Sequence, residues 1–383
     1  MGLKKYKALF VVVLGAIIQL PTPMGATDTR VETLGASGSF LEDQSNIWGH
    51  PSTLLRYPNQ LVLSLGGQTS VLSPPSNLKT LGTFKLPSGM VLGMAFGSAE
   101  NDVTFAPLQA EEQVHLFCGI PKGNRRYGLR LSRFGAMRDA PPQFERSVGV
   151  TQLHVGLESG MDSDRRVEIT VLAEDTRFSE TRNGELESES TGYWRLGVNS
   201  RLLMKLTESV RLIPLIAVTA GHRGAHIYSE GEATETTEEA YYNGQAGVGF
   251  EINTTNETLV IIHASTYIDY VEEKTSVSSE ESGMTIWDVA LVGMGIEKWV
   301  FPWLALRAGA GMRLRLEDSK EAGVSHSLRE IETLTAQTLG LGVRLAGIQA
   351  DFAIEPLLLK RGPHFISGTS MPLSSKATLS YEF

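Results

Sequence analysis

The stretch Leu373-Ser-Ser-Lys-Ala-Thr-Leu-Ser-Tyr-Glu-Phe383 decides how the rest of the chain is read. In an extended strand successive side chains point to opposite faces. Ala377, Leu379, Tyr381 and Phe383 therefore share one apolar face, and Thr378, Ser380 and Glu382 share a polar one. A strand of this kind fits the edge of a soluble sandwich or the wall of a membrane barrel. The choice falls to the upstream sequence.

Working outward, period-two segments recur along the chain. They are predicted at 60–65, 80–86, 90–97, 113–120, 127–134, 148–157, 167–174, 194–206, 242–252, 259–270, 304–316, 339–345 and 348–354. Within 194–206, Trp194, Leu196, Val198, Leu202 and Met204 alternate with Arg195, Asn199, Arg201 and Lys205. Several of these segments have the nine to eleven residues, roughly, that a tilted strand needs to cross a bilayer. In 148–157 the pattern predicts a slip of phase between Val150 and Leu153.

The connections alternate. Read back from Phe383, long polar ones (357–372, 317–330, 271–283, 222–239, 175–191) take turns with short ones (346–347, 299–302, 253–257, 207–209). That is the signature of an up-and-down barrel with tight turns on one rim and longer loops on the other. A sandwich gives no reason for it. The expectation is an all-β, transmembrane, antiparallel barrel of 14 to 16 strands over 60–383. Tyr193, Trp194, Tyr241, Tyr242, Tyr270, Trp299, Trp303 and Tyr381 fall near predicted strand ends, as interfacial girdles require.

Composition agrees. Hydrophobic residues make up 42% of the 383, and no long uncharged apolar window exists beyond the amino terminus, which excludes a bundle of membrane helices. At that terminus Lys4, Lys5 and Lys7 precede an apolar run over 8–20 and then small residues to Ala26. This order predicts a cleaved signal peptide, 1–26. Residues 27–59 show a weak pattern, with a short helical turn entered at Pro51, and form a candidate plug. Cys118 is the single cysteine, so stability rests on a closed sheet rather than on a disulfide. A formal charge of −9 makes nucleic acid an unsuitable partner.

The polar faces supply candidate lumen residues: Arg130, Glu168, Arg195, Arg201, Lys205, Glu251, Asp269, Glu297, Arg307, Arg313, Arg344, Asp351 and Glu355. The near balance of signs favours pairing across the lumen over a strongly ion-selective pore. His222 and His226 have the spacing of a metal pair on a helix, but Gly224 and the flanking strand argue for a loop instead. His263 and Ser265 share a strand face as a base and nucleophile would, with no third residue to orient them. Alternate glycines such as Gly309, Gly311, Gly340 and Gly342 relieve crowding where a sheet bends or lines a narrow lumen. No cofactor, metal or catalytic set is assigned. Acidic stretches at 230–239 and 272–281 are solvated surface or a cation-bridged contact with lipopolysaccharide phosphates.

Together these features resemble Gram-negative outer-membrane β-barrel proteins, whose closing strand ends in an aromatic residue read by the barrel-assembly machinery. That resemblance implies an assembly signal at Leu379, Tyr381 and Phe383. The segment from Ile47 to Leu54, followed by Gln60-Leu-Val-Leu63, is similar to the amino-terminal segment of the long-chain fatty-acid transporter superfamily and of related barrels of unknown role. His50-Pro51-Ser52 stands here where those proteins have Asn-Pro-Ala. The resemblance implies an amino-terminal segment tucked inside the barrel and passage of small, hydrophobic molecules. The expected partners are outer-membrane lipid and lipopolysaccharide, the assembly machinery and a small-molecule solute. The competing expectation is a structural or adhesive barrel that displays its acidic loops.

Overall fold

The computed structural model describes residues 28–35, 38–66, 79–97, 112–140, 144–160, 164–182, 185–229, 232–255, 257–275, 281–320, 328–354 and 374–383. The proposed signal peptide lies outside them. Sixteen antiparallel strands close into one barrel. In chain order they are β1 Gln60–Gly66, β2 Lys79–Lys85, β3 Val91–Gly97, β4 Glu112–Lys122, β5 Arg125–Ala140, β6 Phe144–Ser159, β7 Arg165–Arg182 and β8 Glu185–Lys205. Then follow β9 Val210–Ser229, β10 Glu232–Thr255, β11 Thr258–Thr275, β12 Glu281–Phe301, β13 Leu304–Lys320, β14 Leu328–Leu345, β15 Ile348–Ile354 and β16 Ser374–Glu382. Each pairs with its sequence neighbours, and β16 closes the ring on β1 with Leu379 opposite Leu63 and Tyr381 opposite Leu61. Closure gives every wall strand a partner on both sides, so the sheet has no free edge strand in the lipid-facing band.

The apolar stripe of each strand faces outward. Leu196, Ile216, Met294, Leu306 and Leu379 are each about half exposed, although they are large hydrophobics. On β11 the outward residues from Val260 to Tyr270 cover about 25 Å along the axis, for a strand tilted by about 40°. Trp194, Tyr242, Tyr270 and Trp287 mark the upper edge of this belt, and Phe301, Trp303, Tyr381 and Phe383 its lower edge. An apolar band of bilayer height between aromatic girdles, on a closed barrel, is the construction of an outer-membrane protein. Its short-turn rim then faces the periplasm.

That rim is tightly made. At Ala346-Gly347 both residues have positive φ, 46° and 83°, the geometry of a two-residue hairpin turn. The opposite rim differs from expectation. Most of the residues read as long loops continue the strands instead, so that β7 meets β8 across only 183–184 and β9 meets β10 across 230–231. Cross-strand pairing there carries charged residues that period-two hydropathy does not register. The connection 357–372 lies outside the described residues. No phase slip occurs in β6 either: Val148, Val150, Gln152, His154, Gly156 and Glu158 are all buried, and the register with β5 and β7 is unbroken. The inward face simply changes from apolar to polar along its length.

Inside the wall lies the amino-terminal stretch. Helix α1 (Asp28–Thr33), a 3₁₀ turn (Gly38–Phe40), helix α2 (Asn46–Gly49) and a 3₁₀ helix (Pro51–Arg56) precede β1. Ile47, Leu54 and Tyr57 join Val62, Leu81, Val91, Ala95 and Phe117 in one small core, and Val31, Leu34 and Leu41 meet Leu259 and Ile261 in another.

Candidate functional site

The lumen is occupied on its periplasmic side by residues 28–35 and 38–59, and the wall is shaped to receive them. Inward glycines lie where the segment's backbone passes. A Cβ added at Gly128 would stand 2.1 Å from the Pro51 carbonyl carbon and the Ser52 nitrogen; one at Gly295 would stand 2.1 Å from the Leu34 oxygen. At Gly309 it would meet Gly35 N at 2.4 Å, and at Gly340 the Thr33 Cγ2 at 2.4 Å. Gly249 makes room for the Phe40 ring, which stacks on His263 with 4.8 Å between centroids. Gly128, Gly249, Gly295, Gly309 and Gly340 thus form a socket, whereas Gly311 and Gly342 do not touch the segment.

Ion pairs hold the segment in that socket. Toward β6–β10, the Glu42 carboxylate accepts from Arg56, from Arg166 at 2.8 Å and from Arg211 at 2.7 Å. Arg56 also reaches Glu158 at 2.6 Å and Glu168 at 2.8 Å. Arg201, wholly buried, donates to Glu168 at 2.7 Å, to Asn46 Oδ1 at 2.8 Å and to the carbonyl oxygens of Ser39 and Leu41. Toward β12–β15, Arg30 grips Glu297 through two hydrogen bonds of 2.7 and 2.9 Å. Arg307 shares Glu297 at 2.6 Å and reaches Asp351 at 2.7 Å. Thr29 and Thr378 join hydroxyls at 2.6 Å, and Thr338 donates to the Thr33 oxygen at 2.9 Å.

Electrostatics within the segment follow from this packing. Burial pushes the Glu42 carboxyl up, but the guanidiniums of Arg56, Arg166 and Arg211 more than reverse it and hold it at about 2. Burial, with Arg201 and Arg56 nearby, pushes the His50 imidazole down to about 3 against the pull of Glu168. His50 is therefore neutral, with Nδ1 3.1 Å from Thr170 Oγ1.

Above this layer a chain of polar contacts runs along the inner wall. Arg130 donates to the Trp48 oxygen at 2.5 Å and to Gln152, Gln152 donates to Glu174 at 2.7 Å, and Arg195 donates to Glu174 at 2.5 Å. Between Thr176 and Ser179 the register of β7 against β8 shifts, and the Phe178 N–H is taken by Ser190 Oγ at 3.0 Å. A cavity of about 650 Å³ lies there, lined by inward Val148 and Thr176, by outward Asp175 and Arg177, and by Phe178 and Ser190.

Of the thirteen lumen candidates, Arg130, Glu168, Arg201, Glu297, Arg307 and Asp351 meet the segment or the groups that hold it. Glu251 joins them through Arg211. Arg195, Asp269 and Arg313 lie higher on the wall, and Arg344 covers the Trp299 ring at 4.5 Å. Lys205 is exposed at the periplasmic rim, paired with Glu208 at 2.7 Å. Glu355 is outside the described residues. Tyr193 and Tyr241 are not girdle residues: both are buried inward, hydroxyl to hydroxyl at 3.1 Å, with the Tyr241 ring lying over Gly221 where a side chain would clash. Trp299 likewise sits under Arg344 rather than outside. Sequence reasoning missed Arg30, Glu42 and Arg56, since a segment without periodicity gives no facing. It also missed Glu158 and Glu174, which an unbroken parity count through β6 and β7 would have found.

His222 and His226 lie on one outward face of β9, about 13 Å apart as strand neighbours four residues on, too far to share an ion. Among the described residues no three His, Cys, Asp or Glu side chains converge on a metal-sized point. His263 and Ser265 both face inward, but His263 Nε2 lies 3.2 Å from the Gly35 oxygen and Ser265 Oγ has no hydrogen-bond partner, so no nucleophile–base bond joins them.

No protein-family model and no curated protein matches the chain. Among solved structures it is similar to the ferric citrate transporter FecA in its unliganded form, at 10% identity and TM-score 0.47, over 77% of this chain and 59% of that one. It is also similar to the monoaromatic hydrocarbon channel CymD (10% identity, TM-score 0.43, 95% of this chain and 99% of that one). A third is the Ralstonia pickettii toluene transporter TbuX (11% identity, TM-score 0.36, 94% and 99%). The chain spans less than two thirds of the ferric citrate transporter's length.

Proposed function

We propose that this barrel is an outer-membrane channel or transporter for small molecules, with residues 28–59 as its plug. The observation that carries the reading is the seat. A barrel that only displays loops has no use for an insert fitted by glycines on several strands and held by hydrogen-bonded ion pairs instead of one continuous apolar core. Contacts of that kind can be exchanged for water or solute without unfolding the wall. Passage on this reading requires the plug to shift. The cavity at the β7–β8 register shift has Val148 and Phe178 beside Asp175, Arg177, Glu189 and several hydroxyls, so its lining does not choose between polar and apolar solutes.

One observation favours display instead. Strands β8 to β12 run 18 to 24 residues, beyond what crossing a bilayer needs, and the upper ends of β8, β10 and β11 are rich in glutamate. Planar-bilayer conductance and liposome uptake of a small aromatic solute, on refolded protein with and without residues 28–59, separate the two readings. Transport predicts uptake that rises when the plug is removed. An intact barrel that passes neither ions nor the solute in either form leaves the display reading standing.

A further inference from the structure

Above the plug, the inward faces of β9, β10 and β11 carry charges that the seat does not use. Arg223 on β9 pairs across to Glu239 on β10, and Glu239 stands opposite Glu273 on β11. Four residues along the same strand pair, Asn243 stands opposite Asp269, with Tyr241 and Val271 forming the rung between. Arg223 occupies Glu239 Oε2. That leaves Glu239 Oε1 without a hydrogen-bond partner in a residue 5% exposed. Asp269, half-buried, keeps Oδ1 without a partner as well, while its carboxylate also accepts from the Tyr267 hydroxyl and faces Arg315. Glu239 is repelled by both Glu273 and Asp269. Like charges opposite one another on a strand pair are destabilising, and an orphaned buried acceptor is costly. On the next strand, Asp288 takes Arg315 at 2.9 Å and lies 3.8 Å from Arg313.

We propose that this ladder binds a linear aliphatic polyamine in its ammonium form. One ammonium group meets Glu239 and Glu273, another meets Asp269, and the methylenes between them lie over the Tyr241–Val271 rung. The charged rungs are four residues apart, about 13 Å along the strand, a spacing that an extended polycation bridges and a single ion does not. A metal ion fits less well, because no three of the described His, Cys, Asp or Glu side chains converge on one point. N–H donors also match what the orphaned oxygens lack. The proposal rests on the transport reading in one respect, that solutes enter the lumen.

Calorimetry on the full, detergent-refolded chain, with spermidine as probe and butylamine and Mg²⁺ as comparators, tests the site. Spermidine is expected to bind saturably and more tightly than butylamine. Glu239→Gln and Asp269→Asn, near-isosteric changes, are each expected to weaken it tenfold or more. Glu272→Gln, on the outward face beside Lys274, is expected to leave binding unchanged. Heat-modifiable mobility checks that each variant folds. Should one fail to fold, Glu273→Lys at the exposed rung takes its place and is expected to abolish binding. Absent saturation, equal displacement by Mg²⁺, or variants that bind like the parent overturn the site. Conductance recorded on the same samples keeps the two readings apart: binding without any conductance overturns transport alone, and conductance without binding overturns the site alone.

Discussion

Gly309 and Gly311 lie two residues apart on β13, on the same inward face, yet they should answer differently to the same change. At Gly309 an added Cβ would stand 2.4 Å from both Gly35 N and the Leu34 carbonyl carbon, and 2.5 Å from Thr338 Oγ1. Two of these three are backbone atoms, so no rotamer change relieves the overlap, and the plug must move by about 1 Å to restore ordinary contact. That movement strains the Thr338–Thr33 and His263–Gly35 contacts. At Gly311 the Cβ would meet only the Val292 oxygen, at 3.6 Å. Overpacking costs about 1 to 3 kcal/mol, so Gly309→Ala should shift the plug from seated to unseated by roughly 5- to 150-fold. Gly311→Ala should be neutral or slightly stabilising, since Ala suits a strand better than Gly by about 0.5–1 kcal/mol. Limited trypsin cleavage after Arg30 or Arg56 in the refolded barrel reads the plug, and heat-modifiable mobility confirms the wall. Equal cleavage of the two variants would refute the socket.

The remaining expectations concern charge, pH and assembly. Arg201→Met removes the buried donor to Glu168 and should destabilise the seated state by about 3–5 kcal/mol, because Glu168 keeps its burial and loses this partner; Arg201→Lys should rescue little, lacking the planar fork. Urea titration of plug cleavage measures both. Glu42 has a folded value near 2, below its unfolded 4.5, so its contribution is complete above pH 4.5 and is lost as pH falls toward 2. His50, neutral with a value near 3, loses its contribution as pH falls from 6.5 toward 3. Plug release should therefore rise monotonically on acidification, and a profile flat from pH 7 to 3 would contradict both assignments. Deleting Phe383, exposed beside Tyr381 at the seam, should reduce insertion into the membrane; unchanged heat-modifiable folding there counts against an assembly role.

The wall was legible in the sequence because a barrel in lipid inverts a simple rule. Every outward residue of 194–198 or 304–306 is apolar, so period two and the turn spacing locate the strands without help from a partner sheet. The upper strand extensions were not legible, since at 222–239 both faces are polar and hydropathy has no contrast there. The plug was harder still. Its helices are too short to show a period, and its stability comes from Arg30, Glu42 and Arg56 meeting residues more than 100 positions away. Glycines at 309, 311, 340 and 342 were visible as a pattern, but that 309 and 340 face the segment while 311 does not depends on where the plug lies.

A reversible tether tests the plugged-channel reading most directly. Thr29 and Thr378 already place their hydroxyl oxygens 2.6 Å apart, so Thr29→Cys with Thr378→Cys, in a Cys118→Ala background, should form a disulfide that pins α1 to β16. Solute flux into proteoliposomes is then recorded on one preparation, oxidised and afterwards reduced. Passage gated by the plug predicts low flux while the bridge is intact and recovery on reduction. Equal flux in both states, with the bridge verified by mass, would contradict it.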